Sequence, residues 1–348
     1  MKKSLLVIGL ALTAFAASTV FAQDRAGTNA APELQIPVGA KYTATAGADN
    51  AFVTGVDAIY WNPAGLDMEK SVGGALFSYR QYIAGMSISY LAVGSRFGNF
   101  GSLALSLRSF NIGTIDVTTE NQPDGNGQQI KPTFFIGGLT YSRKLTDRIS
   151  VGATANLIEE SFGNVSASAV GFDFGVQYED LVGIPGLGLG VAVKNVGTEM
   201  QYHGSGMYVQ ATIPNAGIGL SYYEVQAASF QLPSTIDIGL GYKKPLDANN
   251  SLQVMGDFEN NNFGIDEYRG GVEYDYMNSF AIRAGYLFSQ TGAALSSNAG
   301  TVALDEGWSF GAGIDLKKMT GLGLAFDYAY VPERYFGANS LFDIHIAF

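Results

Sequence analysis

The chain has 348 residues, a formal charge of −11 and no cysteine. That charge argues against nucleic acid as a partner, and the lack of cysteine excludes disulfides, thiolate metal sites and thiol nucleophiles. Charged residues make up only 15% and aromatics 12%, and the 45 glycines follow no period of three, so a collagen-like chain is excluded and a sheet protein is expected.

Residues 1–22 read as an export signal. Lys2 and Lys3 precede an apolar run from Leu5 to Ala17, broken only by Gly9 and Thr13, and Val20-Phe21-Ala22 forms a cleavage-type site. The run is shorter than the ~20 residues a helical span needs, and no later stretch reaches ~18 uninterrupted apolar residues. The mature chain is expected to start at Gln23, and a helical membrane protein is not expected.

Residues 23–70 show no alternation of polarity. The Ala-, Gly- and Thr-rich stretch Ala40 to Val53 is expected to form one or two short helices. Asp57 and the run Asn62-Pro63-Ala64-Gly65-Leu66 follow. Pro63 pushes Asn62 out of the α region and fixes a turn, and short Asn and Asp side chains can satisfy turn backbone groups. Two readings are open: a loop leading into the first strand, or a plug folded inside a barrel base. The small residues of the strands that follow favour the plug.

Residues 71–348 break into fourteen segments of alternating polarity, beginning near Ser71, Gly85, Gly101, Thr133, Arg148, Ala167, Gly186, Ser234, Asn250, Asp266, Ser279, Gly307, Gly321 and Ser340. Side chains alternate faces along a strand. Each segment therefore has one bulky apolar face and one face of Gly, Ala, Ser and acids. A soluble sandwich also alternates, but a water-facing sheet seldom carries so much glycine. Aromatics near strand ends (Tyr274, Tyr276, Phe288, Tyr328, Tyr330) suit interfacial girdles. Long links (110–132, 201–233, 290–306, 331–339) fall in one alternate set and short ones in the other, which places both ends of the chain on the side of the short turns. Within the 201–233 link, Ala216 to Tyr223 reads as a further strand or an inserted hairpin.

The chain finishes on Phe342, Ile344, Ile346 and Phe348, alternating with Asp343, His345 and Ala347. So apolar an edge invites aggregation unless it is paired. A closed barrel pairs it with the first strand. The expected fold is all-β, a fourteen-stranded antiparallel transmembrane barrel with a short N-terminal plug segment. It is expected in the outer membrane of a Gram-negative bacterium, with both termini periplasmic.

The Asp57-Ala58 pair and the Asn62–Leu66 turn resemble the N-terminal signature of the PorV/PorQ family, relatives of the FadL hydrophobe transporters. Short stretches at 193–197, 268–274 and 280–286 look similar too. The resemblance implies a fourteen-stranded outer-membrane barrel linked to type IX secretion. Its implied partners are outer-membrane lipid, the barrel-assembly machinery, other secretion proteins and cargo C-terminal signal domains. The alternative is a FadL-like transporter for hydrophobic small molecules.

By parity, Arg108, Lys194, Asp237, Arg269, Glu273, Arg283 and Asp327 face inward, where they escape the ~2–4 kcal/mol cost of a charge on the lipid face. They are expected to form a lumen network, with Arg269, Glu273 and Arg283 at its heart. Asp343 and His345 are expected to form an inward hydrogen-bonding pair. His203 sits in a Gly-Ser loop and is expected in solvent. No catalytic constellation, cofactor motif or metal-ligand spacing emerges. No concentrated apolar patch is expected on the inner face, which favours protein docking over small-molecule transport.

Overall fold

The computed structural model describes residues 27–212, 219–289, 306–333 and 336–348. The expected export signal lies outside them. Among the described residues, fourteen strands close into one antiparallel barrel. They are β1 (Gly73–Gln81), β2 (Ser87–Arg96), β3 (Ser102–Asn111), β4 (Thr133–Lys144), β5 (Ile149–Phe162), β6 (Val165–Tyr178) and β7 (Leu187–Gly197), then β8 (Thr235–Pro245), β9 (Ser251–Asn261), β10 (Glu267–Tyr276), β11 (Phe280–Ser289), β12 (Gly307–Asp315), β13 (Leu324–Glu333) and β14 (Gly337–Ala347). Every expected start lies within three residues of an observed one.

Closure runs through β1 and β14, which pair from Gly74↔Ala347 to Gln81↔Ser340. Beyond that ladder, Gly73 and Phe348 exchange both backbone hydrogen bonds, at 2.9 and 3.0 Å. The last strand therefore has no free edge. Phe342, Ile344, Ile346 and Phe348 all point outward and are exposed.

The same division holds around the wall. Phe77, Leu91, Leu105, Leu139, Phe174, Ile238 and Val254 are exposed, while their alternates Leu76, Ala92, Ala104, Thr140, Asp173, Asp237 and Gln253 are buried. Aromatic rings cluster outside near both rims. Phe258–Tyr268 and Tyr286–Trp308 each sit 5.0 Å apart towards the long-loop end, and Phe100–Tyr141 sit 5.2 Å apart towards the short-turn end.

The long 198–234 link carries an inserted hairpin, Tyr208–Ala211 paired with Ser221–Glu224 outside the barrel sheet. One wall irregularity stands out. Between β6 and β7, Lys194 and Asn195 together face Asp173. Asn195 adopts a left-handed φ of 58°. Its N–H donates to Asp173 Oδ1 at 2.7 Å, and its side-chain amide donates to the Pro233 carbonyl at 3.1 Å. This is a β-bulge, which bends the strand it occupies.

The segment before β1 packs on the inner face. It contains short helical turns at Pro32–Gln35, Ala40–Thr43, Gly55–Asp57, Ala58–Trp61 and Pro63–Met68. Leu34, Val38, Val56, Ile59 and Leu66 form one buried cluster with the inward side chains Leu76, Ile88, Tyr90, Phe110, Ile136 and Ile158. The sequence reading, which expected no apolar patch inside, is corrected here. The wall members come from five neighbouring strands, with Ile88 and Tyr90 sharing β2, and the lateral register brings them together under the inner segment.

Candidate functional site

The Asn62–Leu66 turn anchors the inner segment. Asn62 is fully buried, with extended backbone (φ −153°, ψ 104°), and its Oδ1 accepts the Ala64 N–H at 3.1 Å. It thus ends one helical turn and caps the next, whose first residue is Pro63. Both roles suit an Asn before a Pro. Asn62 Nδ2 donates to Asn50 Oδ1 at 2.7 Å and to the Val176 carbonyl on β6 at 3.2 Å. From the wall, Gln177 donates to the carbonyls of Asn50 and Val53, at 3.0 and 2.9 Å. Ser142 and Ser150 both donate to the Ala64 carbonyl, at 2.9 and 2.7 Å. Gly152 and Gly175 face the turn so closely that a Cβ on either would strike Pro63 or Asn62. Gly65 is held against the Val53 carbonyl in the same way, and Leu66 joins the apolar cluster. The small inner face makes room for this segment.

Asp67, which the sequence reading passed over, ties the segment to three strands. It accepts from Arg96 Nε at 3.0 Å, from Ser102 Oγ at 2.5 Å and from the Lys144 N–H at 2.9 Å.

The expected charge network divides in two. On β7–β10, Lys194 pairs with Asp237 at 2.9 Å, and Arg269 with Glu259 at 2.7 Å and Glu267 at 2.6 Å. On β10–β14, Arg283 pairs with Glu273 and, at 2.6 Å, with Asp327. His345 lies 3.3 Å from Asp327, 3.4 Å from Asp57 and 3.7 Å from Asp343. Arg269 and Glu273 therefore do not share a network. Arg269 pairs with Glu259 across the strands and with Glu267 on its own strand, while Glu273 pairs across to Arg283. No ion pair among the described residues includes Arg108. Its guanidinium donates to the Ile36 carbonyl at 3.2 Å and lies 5.2 Å from the Tyr60 ring.

The expected His345–Asp343 pair is part of a larger knot. Ligand-type atoms of Asp57, Asp343 and His345 lie within 4.8 Å of one another, so the trio could hold an ion. Asp343 is already engaged by the Ala40 and Lys41 backbone N–H groups. His203 is exposed, 3.4 Å from Glu224.

Two cavities flank the inner segment and share no lining residue. The one at the short-turn end, of about 320 Å³, is lined by Lys41, Asp57, Glu69, Arg96, Asp315 and His345 among others. The one at the long-loop end, of about 510 Å³, is mainly apolar, with walls from Ile36, Trp61, Tyr82, Ile88, Phe110, Phe134, Leu287 and Val331. A cavity of this size and lining suits a small organic ligand. Glu33 sits in its wall almost fully buried, and burial together with the nearby charge of Glu160 pushes its carboxyl up to about 8. The sequence carried a signal for Glu33: it is the single acid in the apolar run from Ala30 to Gly39.

No protein-family model and no curated protein matches the chain. Solved structures do. The chain is similar to "TodX deltaS2S3 mutant monoaromatic hydrocarbon channel", with 12% identity over 85% of this chain and 95% of that one, and a TM-score of 0.56. It is similar to the Ralstonia pickettii toluene transporter TbuX, at 12% identity over 84% and 94% of the two chains, TM-score 0.52. A Pseudomonas aeruginosa FadL homologue gives 13% identity over 89% and 98%, TM-score 0.50. At such identities the likeness speaks for the fold. These neighbours fall on the FadL side of the sequence resemblance, and none bears on its PorV/PorQ side.

Proposed function

We propose that the protein is an outer-membrane channel that admits small hydrophobic molecules. The observation that carries this reading is the mainly apolar cavity of about 510 Å³ at the long-loop end. It lies against the inner segment, which also lines the separate cavity at the short-turn rim. A molecule entering from the loop end meets Phe110, Phe134, Tyr82 and Ile88 along one part of the wall and the mutually paired Arg269, Glu259 and Glu267 along another. Burial of its surface there is favourable at ~25 cal/mol per Å². The outward bulky face suits hydrocarbon, and rim aromatics suit the two interfaces. Similar solved structures described as hydrocarbon channels add support for the same use of the fold. In this reading both termini are periplasmic and the long loops face outward.

The type IX reading rests on sequence resemblance: Asp57-Ala58, the Asn62–Leu66 turn and the short stretches at 193–197, 268–274 and 280–286, of which the turn is the most specific. That turn has a sufficient structural role in anchoring the inner segment to β5 and β6.

The experiment is a gene deletion read two ways. Uptake of labelled toluene by whole cells is expected to fall, with surface display of exported proteins unchanged. Normal uptake with lost surface display would reverse the assignment in favour of secretion.

A further inference from the structure

The long-loop cavity is not suited to a bare hydrocarbon throughout. The Oγ1 of Thr43 and the Nε2 of Gln35 are buried without a hydrogen-bond partner among the described residues, and the buried Glu33 carboxyl finds no base to pair with and lies against a second carboxyl, that of Glu160. All three residues line this one cavity. An unpartnered buried polar group costs about 1–3 kcal/mol, more when charged, so groups left this way need an explanation. Two unpartnered groups and a carboxyl without a base on one cavity point to an occupant with a polar end.

The sign of that end follows from the charges around it. The cavity lining holds Glu33, Glu259 and Glu267 against a single base, Arg269. Arg269 is already taken up by Glu259 and Glu267. Glu33 faces a second acid, Glu160, whose carboxylate is held by the Tyr202 hydroxyl. Arg108 offsets part of this repulsion, but its guanidinium is engaged by the Ile36 carbonyl and the Tyr60 ring. An anionic head would meet the carboxylates of Glu259 and Glu267 here and would hold Glu33 in the uncharged form that its burial already favours. A protonated amine would draw Glu33 into its charged form and give it donors, and the Phe134 ring in the wall can attract a cation, whereas Arg80 and Arg108 already lie over the Tyr82 and Phe110 rings.

We propose that this cavity takes an amphipathic organic cation, a small apolar body carrying a protonated amine, with Glu33 as its anchor. This rests on the channel reading above and narrows it to a class of ligand.

The test is calorimetry on the full-length barrel in detergent micelles with three ligands of matched shape: phenethylamine, hydrocinnamate and ethylbenzene. Phenethylamine is expected to bind roughly tenfold tighter than either of the others, the gain of one charge-assisted hydrogen bond. Glu33→Gln is expected to remove that preference, bringing phenethylamine to within about threefold of ethylbenzene on the same variant. The comparison on the unaltered protein stands even where the variant fails to fold. Ethylbenzene binding without a preference for the amine, a preference for hydrocinnamate, or an amine preference that survives in folded Glu33→Gln overturns the anchor and leaves the channel reading standing. Binding of none of the three overturns both.

Discussion

Arg283 on β11 reaches Asp327 on β13 at 2.6 Å, across the intervening strand β12. The path lies over Gly313, where a Cβ would collide with both side chains. A glycine on the inner face thus clears the way for an ion pair that skips a strand. Asp327→Asn leaves Arg283 with Glu273 alone in a buried setting, and breaking buried pairs costs about 3–5 kcal/mol. Gly313→Val is expected to do comparable harm without touching either charge. Both are read from urea unfolding midpoints in lipid vesicles. A Gly313→Val midpoint equal to that of the unaltered protein would show that the pair does not need this passage.

Asn62→Ala is expected to loosen the inner segment. It removes the cap on Ala64 and the donor to Asn50 and Val176. A lost cap costs about 1 kcal/mol, and each orphaned buried acceptor costs about as much again or more. Protease sensitivity at residues 27–70 is expected to rise before the barrel itself unfolds. Equal protection in the variant and the parent would mean that other contacts, such as Ser142 and Ser150 to Ala64, suffice.

Strand number, strand faces and the Asn62 turn were legible because each depends on local pattern. Period two tells which face Arg269 occupies, and the proline after Asn62 tells that the helix must stop there. Partner choice was not legible. Arg269 and Glu273 share a face four residues apart on β10, yet Arg269 binds Glu259 on β9 and Glu273 binds Arg283 on β11. Which residues stand opposite is set by the stagger between strands, and the sequence of one strand does not state it. The interior apolar cluster was hidden for the same reason. Ile88, Phe110, Ile136 and Ile158 each look like an isolated exception on a small-residue face. Arg108 misled because inward charge suggested a carboxylate partner, whereas a backbone carbonyl and an aromatic ring hold it.

The raised carboxyl of Glu33 gives stability a pH dependence of definite sign. Its folded value, about 8, lies above the ordinary value of 4.5, chiefly through burial and then through Glu160. The folded state therefore holds this proton more tightly than the unfolded chain does. The contribution is fully present below the ordinary carboxylate value and is lost as pH rises through the folded one. Unfolding midpoints are expected to fall between about pH 5 and about pH 9, and Glu33→Gln is expected to flatten that slope. Since Tyr202, Glu160 and Arg108 remain in the variant, the difference between the two profiles isolates Glu33. Parallel profiles would assign the slope to other buried acids such as Asp49, which burial also raises.

Filling the loop-end cavity tests whether it is the entry. Ile88 is inward, buried and in its wall. Ile88→Trp adds a bulky ring into open volume, so the overpacking cost is expected near the low end of about 1–3 kcal/mol. The barrel is expected to stay folded, by its compact migration on unheated gels, while toluene uptake drops severalfold. Leu105→Trp, at an exposed apolar position on the outer face, serves as the control and is expected to change neither. The comparison separates passage through the cavity from general leakiness of the wall, because both variants carry the same added bulk and only one carries it inside. Undiminished uptake in folded Ile88→Trp would place the route elsewhere in the barrel.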